Sequence, residues 1–138
     1  MYSSKLPKQG EIWLVDFNRK KHKEALKIRP VVIIGNNVQN ELDEQTIVAL
    51  ITTEKEELAN VEPFELLVGA TSQNGLDRKS KILPHRLQSI DKKLRLIKRL
   101  GKLEQKIWNQ MWINLLVVLT GRKIVGSETI AEACPLVS

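Results

Sequence analysis

Cysteine and aromatic residues are scarce in this chain. The one cysteine, Cys134, cannot form a disulfide within the chain, and it has none of the neighbouring ligands that a metal site needs. This usage is typical of a reducing compartment, and it predicts a cytoplasmic protein. Aromatic side chains make up only 4% of the sequence, so a core must rest on valine, isoleucine and leucine, which favours strands over a large helical bundle.

Several sequence signals are absent as well. The first five residues lack the apolar core of a signal peptide, and no apolar run approaches the length of a transmembrane helix. The chain has no Gly-rich phosphate loop, no G-x-S-x-G motif and no histidine or cysteine pair at metal-binding spacing. With only His22 and His85, a two-histidine nuclease mechanism is possible on paper, but nothing else in the sequence supports it. If the chain is an enzyme, we therefore expect it to use no metal and no cofactor, away from membranes.

The chain does have an excess of positive charge. Its 22 lysines and arginines outnumber 16 aspartates and glutamates, which gives a formal net charge of +6 at pH 7. The positive residues cluster in residues 19–27 and 92–106. Net charge bears on association rather than on fold, and clustered lysines and arginines attract polyanions. This pattern favours a nucleic-acid partner, although many small basic proteins bind none.

The hydrophobic pattern predicts a series of short strands followed by one helix. Strands are predicted at residues 11–17, 28–34, 46–53, 63–68, 81–90 (bent or interrupted) and 95–100. The segments between them are polar, acidic or irregular, namely 40–45, 54–60 and 70–79, the last with a turn at Asn74-Gly75.

The period changes after Gly101. Ile107, Met111, Leu115 and Val118 follow at spacings of four, four and three, which predicts a helix, and Gly121 is placed as its C-terminal stop. Residues 122–138 carry weak signals, so we expect one domain over residues 1–121 and a loose tail over 122–138. The predicted fold is mainly β, a small barrel or curled sheet with a C-terminal helix packed on it.

The most distinctive stretch runs from Gly10 to Pro30. A strand ending at Phe17 is followed by a strongly basic loop, residues 18–27, and then by a second strand that opens with Ile28-Arg29-Pro30. The loop is too long for a tight hairpin turn, and loops of this length are often functional. Two strands joined by a cationic loop, with an arginine where the second strand starts, can hold and polarise a phosphodiester. The stretch suggests a small RNA-cleaving enzyme.

The order of these motifs resembles the MazF/PemK toxins of bacterial type II toxin–antitoxin systems. The matching segments are, in chain order, Gly10–Phe17, Glu24, Arg29–Ile34 with Asn36, Ile51-Thr52-Thr53, Pro63-Phe64-Glu65 and Ser89-Ile90-Asp91. The resemblance spans roughly residues 7–120. It implies an SH3-like barrel with a C-terminal helix, a homodimer, inhibition by a cognate antitoxin, and cleavage of single-stranded RNA at short sequences without a metal.

Carried over residue by residue, the resemblance implies that Arg29 and Thr52 are the catalytic pair. Attack of a ribose 2′-hydroxyl on phosphorus concentrates negative charge on the non-bridging oxygens, which a guanidinium and a hydroxyl can stabilise. Glu24 would take or pass a proton. The expected products are a 2′,3′-cyclic phosphate and a 5′-hydroxyl. The residues expected to contact RNA are Phe17, Arg19, Lys20, Lys21, Lys23, Asn36, Thr53, His85 and Arg86.

The chain departs from the family pattern in two places. The basic loop has no glycine and has Ala25 where the family usually has glutamine. His85-Arg86 stands where the family often has an acid followed by glutamine, which makes His85 a candidate substitute for proton transfer. His85 also has the simpler explanation of a surface histidine beside a basic patch.

Other interpretations stay open at this point. The same fold could serve a non-enzymatic protein, either a gyrase poison like CcdB or an RNA-binding module that has lost cleavage. A gyrase poison would not need Arg29 and Thr52, which could then be an ordinary surface arginine and an ordinary strand residue. A DNA-binding regulator is disfavoured because the sequence has no helix-turn-helix or ribbon signature.

Overall fold

A single antiparallel sheet of six strands, in the order β4-β5-β3-β2-β1-β6, dominates the fold. The computed structural model describes residues 6–17 and 28–121, and the backbone of 123–125 and 128–130. The strands of the sheet are β1 Glu11–Asp16, β2 Ile28–Ile33, β3 Gln45–Thr52, β4 Leu66–Val68, β5 Ser80–Asp91 and β6 Leu96–Lys102. The helices are α1 Asn37–Leu42, α2 Lys55–Leu58, α3 Lys92–Arg95 and α4 Gln105–Thr120.

The central strands are apolar on both faces. Ile12 and Val32 belong to one buried cluster, whereas their chain neighbours Trp13 and Val31 belong to a second one. Successive side chains of a strand point to opposite faces, so the two clusters lie on opposite sides of the sheet. Helix α4 contributes Met111 to the first cluster, as the apolar stripe in the sequence predicts.

The sheet curls around the second cluster. Ile90 from β5 and Leu96 from the edge strand β6 both pack in that cluster, although three strands separate β5 from β6 in the sheet. Side chains so distant across a flat sheet could not meet, so the sheet must be strongly curved. The prediction of a mainly β fold with a curled sheet and a C-terminal helix is confirmed, in the form of a six-stranded half-barrel.

The structure differs from the sequence prediction in the polar connections. Residues 37–42 and 55–58 form the short helices α1 and α2, where the pattern showed only polar or acidic segments, and β4 begins at Leu66 rather than at residue 63. Polar contacts fix α1. The Asn36 side chain accepts from the backbone N–H of Gln39, and the buried Asn40 donates to the carbonyl of Gly35 and accepts from the Thr46 hydroxyl. Polar contacts of this kind leave no periodic pattern of apolar residues in the sequence, so the hydrophobic pattern does not predict α1.

Two glycines with positive φ lie where the sequence predicts a turn and a helix end. Gly75 follows Asn74 in a turn with φ +74°, and Gly121 ends α4 with φ +72° and donates its N–H to the carbonyl of Val117. Beyond it the backbone forms a two-stranded antiparallel ladder, β7 Lys123–Val125 with β8 Glu128–Ile130, in a segment that carries only weak sequence signals. Over the described part of the chain, no helix has both the length and the apolar character needed to cross a membrane.

Candidate functional site

Three polar residues form a row across neighbouring strands. Thr52 faces Lys81 in the β3–β5 ladder. The β2–β3 ladder ends at the pair of Val31 with Leu50, two residues short of Arg29 and Thr52, and a continuation of its register would set Arg29 against Thr52. Residues opposed in an antiparallel pair point to the same face of the sheet. All three row residues line one cavity of about 490 Å³, a volume that suits a small ligand or a nucleotide.

Arg29 is a positioned but unengaged cation. Its backbone is fixed opposite Val15 of β1, and its side chain is half-buried. The guanidinium makes no hydrogen bond and no ion pair with any described residue. A guanidinium with unused donors on a rigid strand can bind an anionic oxygen in a fork geometry.

Thr52, at the end of β3, is buried, with 3% of its surface exposed. Its hydroxyl oxygen accepts from the backbone N–H of Glu54 at 3.3 Å. Because that contact uses the oxygen as an acceptor, the hydroxyl proton stays available for donation to a ligand.

Lys81 is enclosed and fully engaged. Its ammonium group lies 2.9 Å from Oε1 of Glu65 and donates to the carbonyls of Glu57 at 2.7 Å and Asn60 at 3.0 Å. An ammonium has three protons to donate, so Lys81 has no donor left for a ligand. Its role in the site is to fasten the segment from Glu57 to Glu65 to strand β5.

Glu65 is a buried carboxylate that remains ionised. It accepts from Lys81 and from the backbone N–H of Glu62 at 2.9 Å. Burial by itself raises the pKa of Glu65, but the hydrogen bonds from the Glu62 N–H and from Lys81 prevail and hold this pKa below its usual value. The carboxylate therefore carries its charge throughout the neutral range.

A wide bulge interrupts β5 beside the cavity. Ala49 and Leu50 are adjacent on β3, but their partners Leu87 and Leu83 are four positions apart on β5, so the three residues 84–86 are extra. Bulges redirect side chains out of the regular alternation, and Pro84 cannot donate to a ladder. The bulge accounts for the bent strand that the sequence predicts.

The bulge brings His85 to the cavity. Its Nε2 lies 3.7 Å from Oε2 of Glu65, and its ring meets that of Phe64 edge to face, with 4.7 Å between the ring centroids. Nδ1 of His85 is buried and has no hydrogen-bond partner. His85 thus lies against a fixed carboxylate in the same cavity as Arg29 and Thr52.

The cavity has mixed charge. Arg29 and the exposed Arg86 carry positive charge, whereas the segment that contains α2 contributes Glu56, Glu57 and Glu62. These carboxylates repel a phosphate group. A bound phosphate must therefore lie close to the guanidinium groups of Arg29 and Arg86, which attract it. Among the described residues, no group of histidine, cysteine, aspartate and glutamate side chains has the arrangement of a metal site.

Four of the residues named from the sequence, Arg29, Thr52, His85 and Arg86, meet at the cavity. Three others do not line it. Phe17 packs against the second apolar cluster, Asn36 caps α1, and Thr53 follows β3. Glu24, Arg19, Lys20, Lys21 and Lys23 lie outside the described residues.

The sequence prediction did not include Lys81 and Glu65. Lys81 could have been found from the register of the two predicted strands, because a lysine facing a threonine inside a sheet needs a partner. Glu65 lies 16 positions away from Lys81, and nothing in its local pattern distinguishes it from the other acids of its segment.

Comparison with known protein families identifies one family whose model matches most of the chain. A family model described as "PemK-like, MazF-like toxin of type II toxin-antitoxin system" matches residues 8–119. No significant match was found among curated proteins.

Several solved structures share the fold. An endoribonuclease in complex with its cognate antitoxin, from a mycobacterial species, superposes with TM-score 0.65 at 18% identity, over 82% of this chain and 94% of that chain. The MazE–MazF complex (Form-II) of Deinococcus radiodurans gives 0.67 at 16% identity, over 83% and 96%. The Mycobacterium tuberculosis toxin MazF-mt6 gives 0.61 at 22% identity, over 79% and 95%. At such identities the likeness establishes the fold.

Proposed function

Because this chain belongs to the family of PemK-like, MazF-like toxins of type II toxin–antitoxin systems, we propose that it is an endoribonuclease that cleaves single-stranded RNA at selected sequences without a metal. The observation that carries the proposal is the cavity that Arg29 and Thr52 share. Two of the similar structures are endoribonucleases, which supports the same activity.

The proposed reaction is an internal transfer at phosphorus. The 2′-oxygen of one nucleotide bonds to the adjacent phosphorus, the bond to the 5′-oxygen of the next nucleotide breaks, and a 2′,3′-cyclic phosphate and a 5′-hydroxyl result. Arg29 stabilises the charge that develops on the non-bridging oxygens, and the Thr52 hydroxyl donates one more hydrogen bond. Glu24 stays in the proposal as a group that takes or passes a proton.

RNA beyond the scissile phosphate needs further contacts. Arg86 lines the cavity and is exposed, so it can hold a neighbouring phosphate. Seven further residues were predicted from the sequence to contact RNA, and we propose that they contact nucleotides outside the cavity. They are Phe17, Arg19, Lys20, Lys21, Lys23, Asn36 and Thr53.

We also propose a cognate antitoxin and a homodimer. The mycobacterial neighbour is in complex with its cognate antitoxin, and the Deinococcus neighbour is a MazE–MazF complex. Trp112 and Leu119 of α4 are 49% and 62% exposed, and subunit interfaces commonly bury apolar side chains of this kind. Light scattering of the purified chain at micromolar concentration tests the homodimer, since a monomer mass would contradict it.

One assay tests the activity. The purified chain is incubated with mixed-sequence single-stranded RNA in EDTA, and the new ends are mapped. We expect cyclic-phosphate and 5′-hydroxyl ends at a restricted set of sequences. Thr52→Val, which keeps the shape and removes the hydroxyl, is expected to lose activity, whereas Thr52→Ser retains part of it. Intact RNA after prolonged exposure to folded protein would contradict the proposal.

The acidic side of the cavity favours one alternative. Glu56, Glu57 and Glu62 repel a polyanion, as would suit a protein that acts on a protein target such as gyrase. Inhibited gyrase beside intact RNA would support that alternative, whereas RNA that is bound in a filter assay but stays uncut would support the other one, an RNA-binding module that has lost cleavage.

A further inference from the structure

We propose that Asn114 of helix α4 is a positioning residue, which holds one wall of the cavity in place and thereby sets the selectivity of the cavity between RNA sequences. This wall is the segment of residues 57–65, and four of its members line the cavity, namely Glu57, Asn60, Glu62 and Glu65. The inference rests on the proposed ribonuclease function. It deepens that function, because it names a residue that acts on the cavity through another segment.

Asn114 is a polar residue on the buried face of an apolar helix. Its neighbours Met111 and Leu115 belong to the buried core, and only 8% of the surface of Asn114 is exposed. An amide in such a place costs free energy unless its polar atoms are hydrogen-bonded. Its Oδ1 accepts from Nε2 of Gln110 at 2.8 Å, and its Nδ2 donates to the backbone carbonyl of Phe64 at 3.0 Å. The second of these bonds joins the helix to the wall.

Helix α4 contains the same side-chain pair a second time, on its exposed surface. Nε2 of Gln105 donates to Oδ1 of Asn109 at 2.9 Å, with the same spacing of four residues as Gln110 and Asn114. Asn109 is exposed, so this pair forms on a helix without burial of its asparagine. The burial of Asn114 is therefore explained by its bond to the carbonyl of Phe64 rather than by the bond within the helix.

The wall depends on such bonds for its shape. Between α2 and β4 its backbone forms turns and irregular structure instead of a helix or a strand. Lys81 of β5 binds the Glu65 side chain and two carbonyls of the wall, whereas Asn114 binds the carbonyl of Phe64, the residue before Glu65. The wall is thus fastened both to strand β5 and to helix α4, and the two bonds act on adjacent residues.

The chemistry of the wall suits recognition of bases rather than of phosphates. Its carboxylates repel a phosphate, which Arg29 and Thr52 would hold instead. Carboxylate and amide oxygens accept hydrogen bonds from the amino and ring N–H groups of bases, and single-stranded RNA presents these groups unpaired. A displaced wall should therefore change the relative rates at different sequences. A role of Asn114 in the stability of α4 alone would lower the folded fraction and leave these relative rates unchanged.

The test compares Asn114→Leu, which removes the bond to the wall, with Asn109→Leu, the matched control on the same helix. The quantity measured is the ratio of kcat/KM for two RNA oligonucleotides. One has the sequence that the unaltered chain cuts fastest, and the other differs from it by a single base beside the cut. We expect Asn114→Leu to lower this ratio about 10-fold, a discrimination that one well-placed contact can supply. The control should keep the ratio, and the folded fraction cancels from it.

A second measurement needs no RNA. Amide hydrogen exchange of residues 57–65 reports how often this backbone opens. Exchange in this segment should be faster in Asn114→Leu than in the unaltered chain, because the wall has lost its bond to α4. It should stay unchanged in Asn109→Leu. Gln110→Leu removes the bond that orients the Asn114 amide, so it should change both quantities in the same direction but less strongly, with Gln105→Leu as its control.

The outcomes separate this inference from the proposed function. If the unaltered chain cleaves RNA while Asn114→Leu keeps the ratio, the role of Asn114 in selectivity is overturned and the nuclease stands, whether or not exchange becomes faster. Cleavage without any base preference overturns that role as well. If the unaltered chain does not cleave RNA, the nuclease itself falls and this role falls with it. Should thermal melts show that Asn114→Leu does not fold, Gln110→Leu against Gln105→Leu decides in the same way, because both glutamines are exposed.

Discussion

Lys81 lies directly opposite Thr52 in the β3–β5 ladder, yet its ammonium group is held by Glu65, 2.9 Å away. Thr52 and Lys81 therefore have different roles, although they face each other. Thr52 keeps a hydroxyl proton for a ligand, whereas Lys81 uses all its donors to fasten the segment from Glu57 to Glu65, which forms one wall of the cavity. The shape of the cavity depends on this buried pair.

The buried pair gives a first prediction. Lys81→Met leaves the Glu65 carboxylate enclosed without its cation, and removal of one partner of a buried pair costs roughly 3 to 5 kcal/mol. We expect the free energy of unfolding, measured with urea, to fall by about this amount. Lys102→Met, at an exposed lysine of β6, is the matched control and should change stability by less than about 0.5 kcal/mol. Equal stability of the two variants would contradict the structural role.

Acid stability should depend on Glu65 and Glu104. The Thr71 hydroxyl, which donates to Glu104 at 2.5 Å, lowers the pKa of Glu104, and the N–H of Glu62 and Lys81 lower that of Glu65 despite its burial. Unfolded glutamates titrate near their ordinary pKa of about 4.3. The stabilisation is therefore complete above that pH and is lost as pH falls through the lower pKa values of the folded state.

The measurement is the free energy of unfolding in urea at several pH values between about 3 and 6. The unaltered chain should lose stability steadily below about pH 4.5, and the double variant Glu65→Gln, Glu104→Gln should be less stable at pH 6 and show a flatter slope. The same slope for both chains would show that these carboxylates do not carry the acid response.

Much of the fold is predictable because the apolar residues dictate it. The alternation of Ile12 with Trp13 fits a strand covered on both faces, and the spacing of Ile107, Met111 and Leu115 fits one helix. The short helix α1 was not predicted, since Asn36 and Asn40 build it through polar contacts that have no hydrophobic period.

The site was only partly predictable. Arg29 and Thr52 lie on two strands that the apolar pattern predicts, and their presence in one cavity is consistent with the pair that the resemblance implies, whereas the order and register of the strands come from the structure. The pair of Lys81 and Glu65 depends on how the segment between β3 and β4 folds back onto β5, which polar backbone contacts decide. No local pattern carries that information.

Arg29 and Arg86 should differ in what they do for RNA. We expect Arg29→Lys to lose at least about 10²-fold in kcat, because an ammonium cannot present a fork of donors to two phosphate oxygens. Arg86→Ala should leave kcat nearly unchanged and weaken binding. It should also reduce the slope of log affinity against log salt by about 0.7, the value for one contact to a single-stranded phosphate. Steady-state kinetics and binding at several salt concentrations check both. A loss of kcat in Arg86→Ala together with only weakened binding in Arg29→Lys would contradict the roles proposed for these two arginines.

Gly75 should tolerate no side chain. Its φ of +74° lies in the left-handed region, and an added Cβ would come within 2.1 Å of the carbonyl oxygen of Leu100 on β6. Both the strain and the clash oppose alanine, so Gly75→Ala should destabilise the chain by more than about 1 kcal/mol. Gly69→Ala is the matched control, because nothing lies within 4 Å of a Cβ there. Urea unfolding compares the two, and since Gly75 lies outside the cavity lining, the folded fraction of Gly75→Ala should retain its cleavage rate. If Gly75→Ala were as stable as Gly69→Ala, the close packing of this turn on β6 would be wrong.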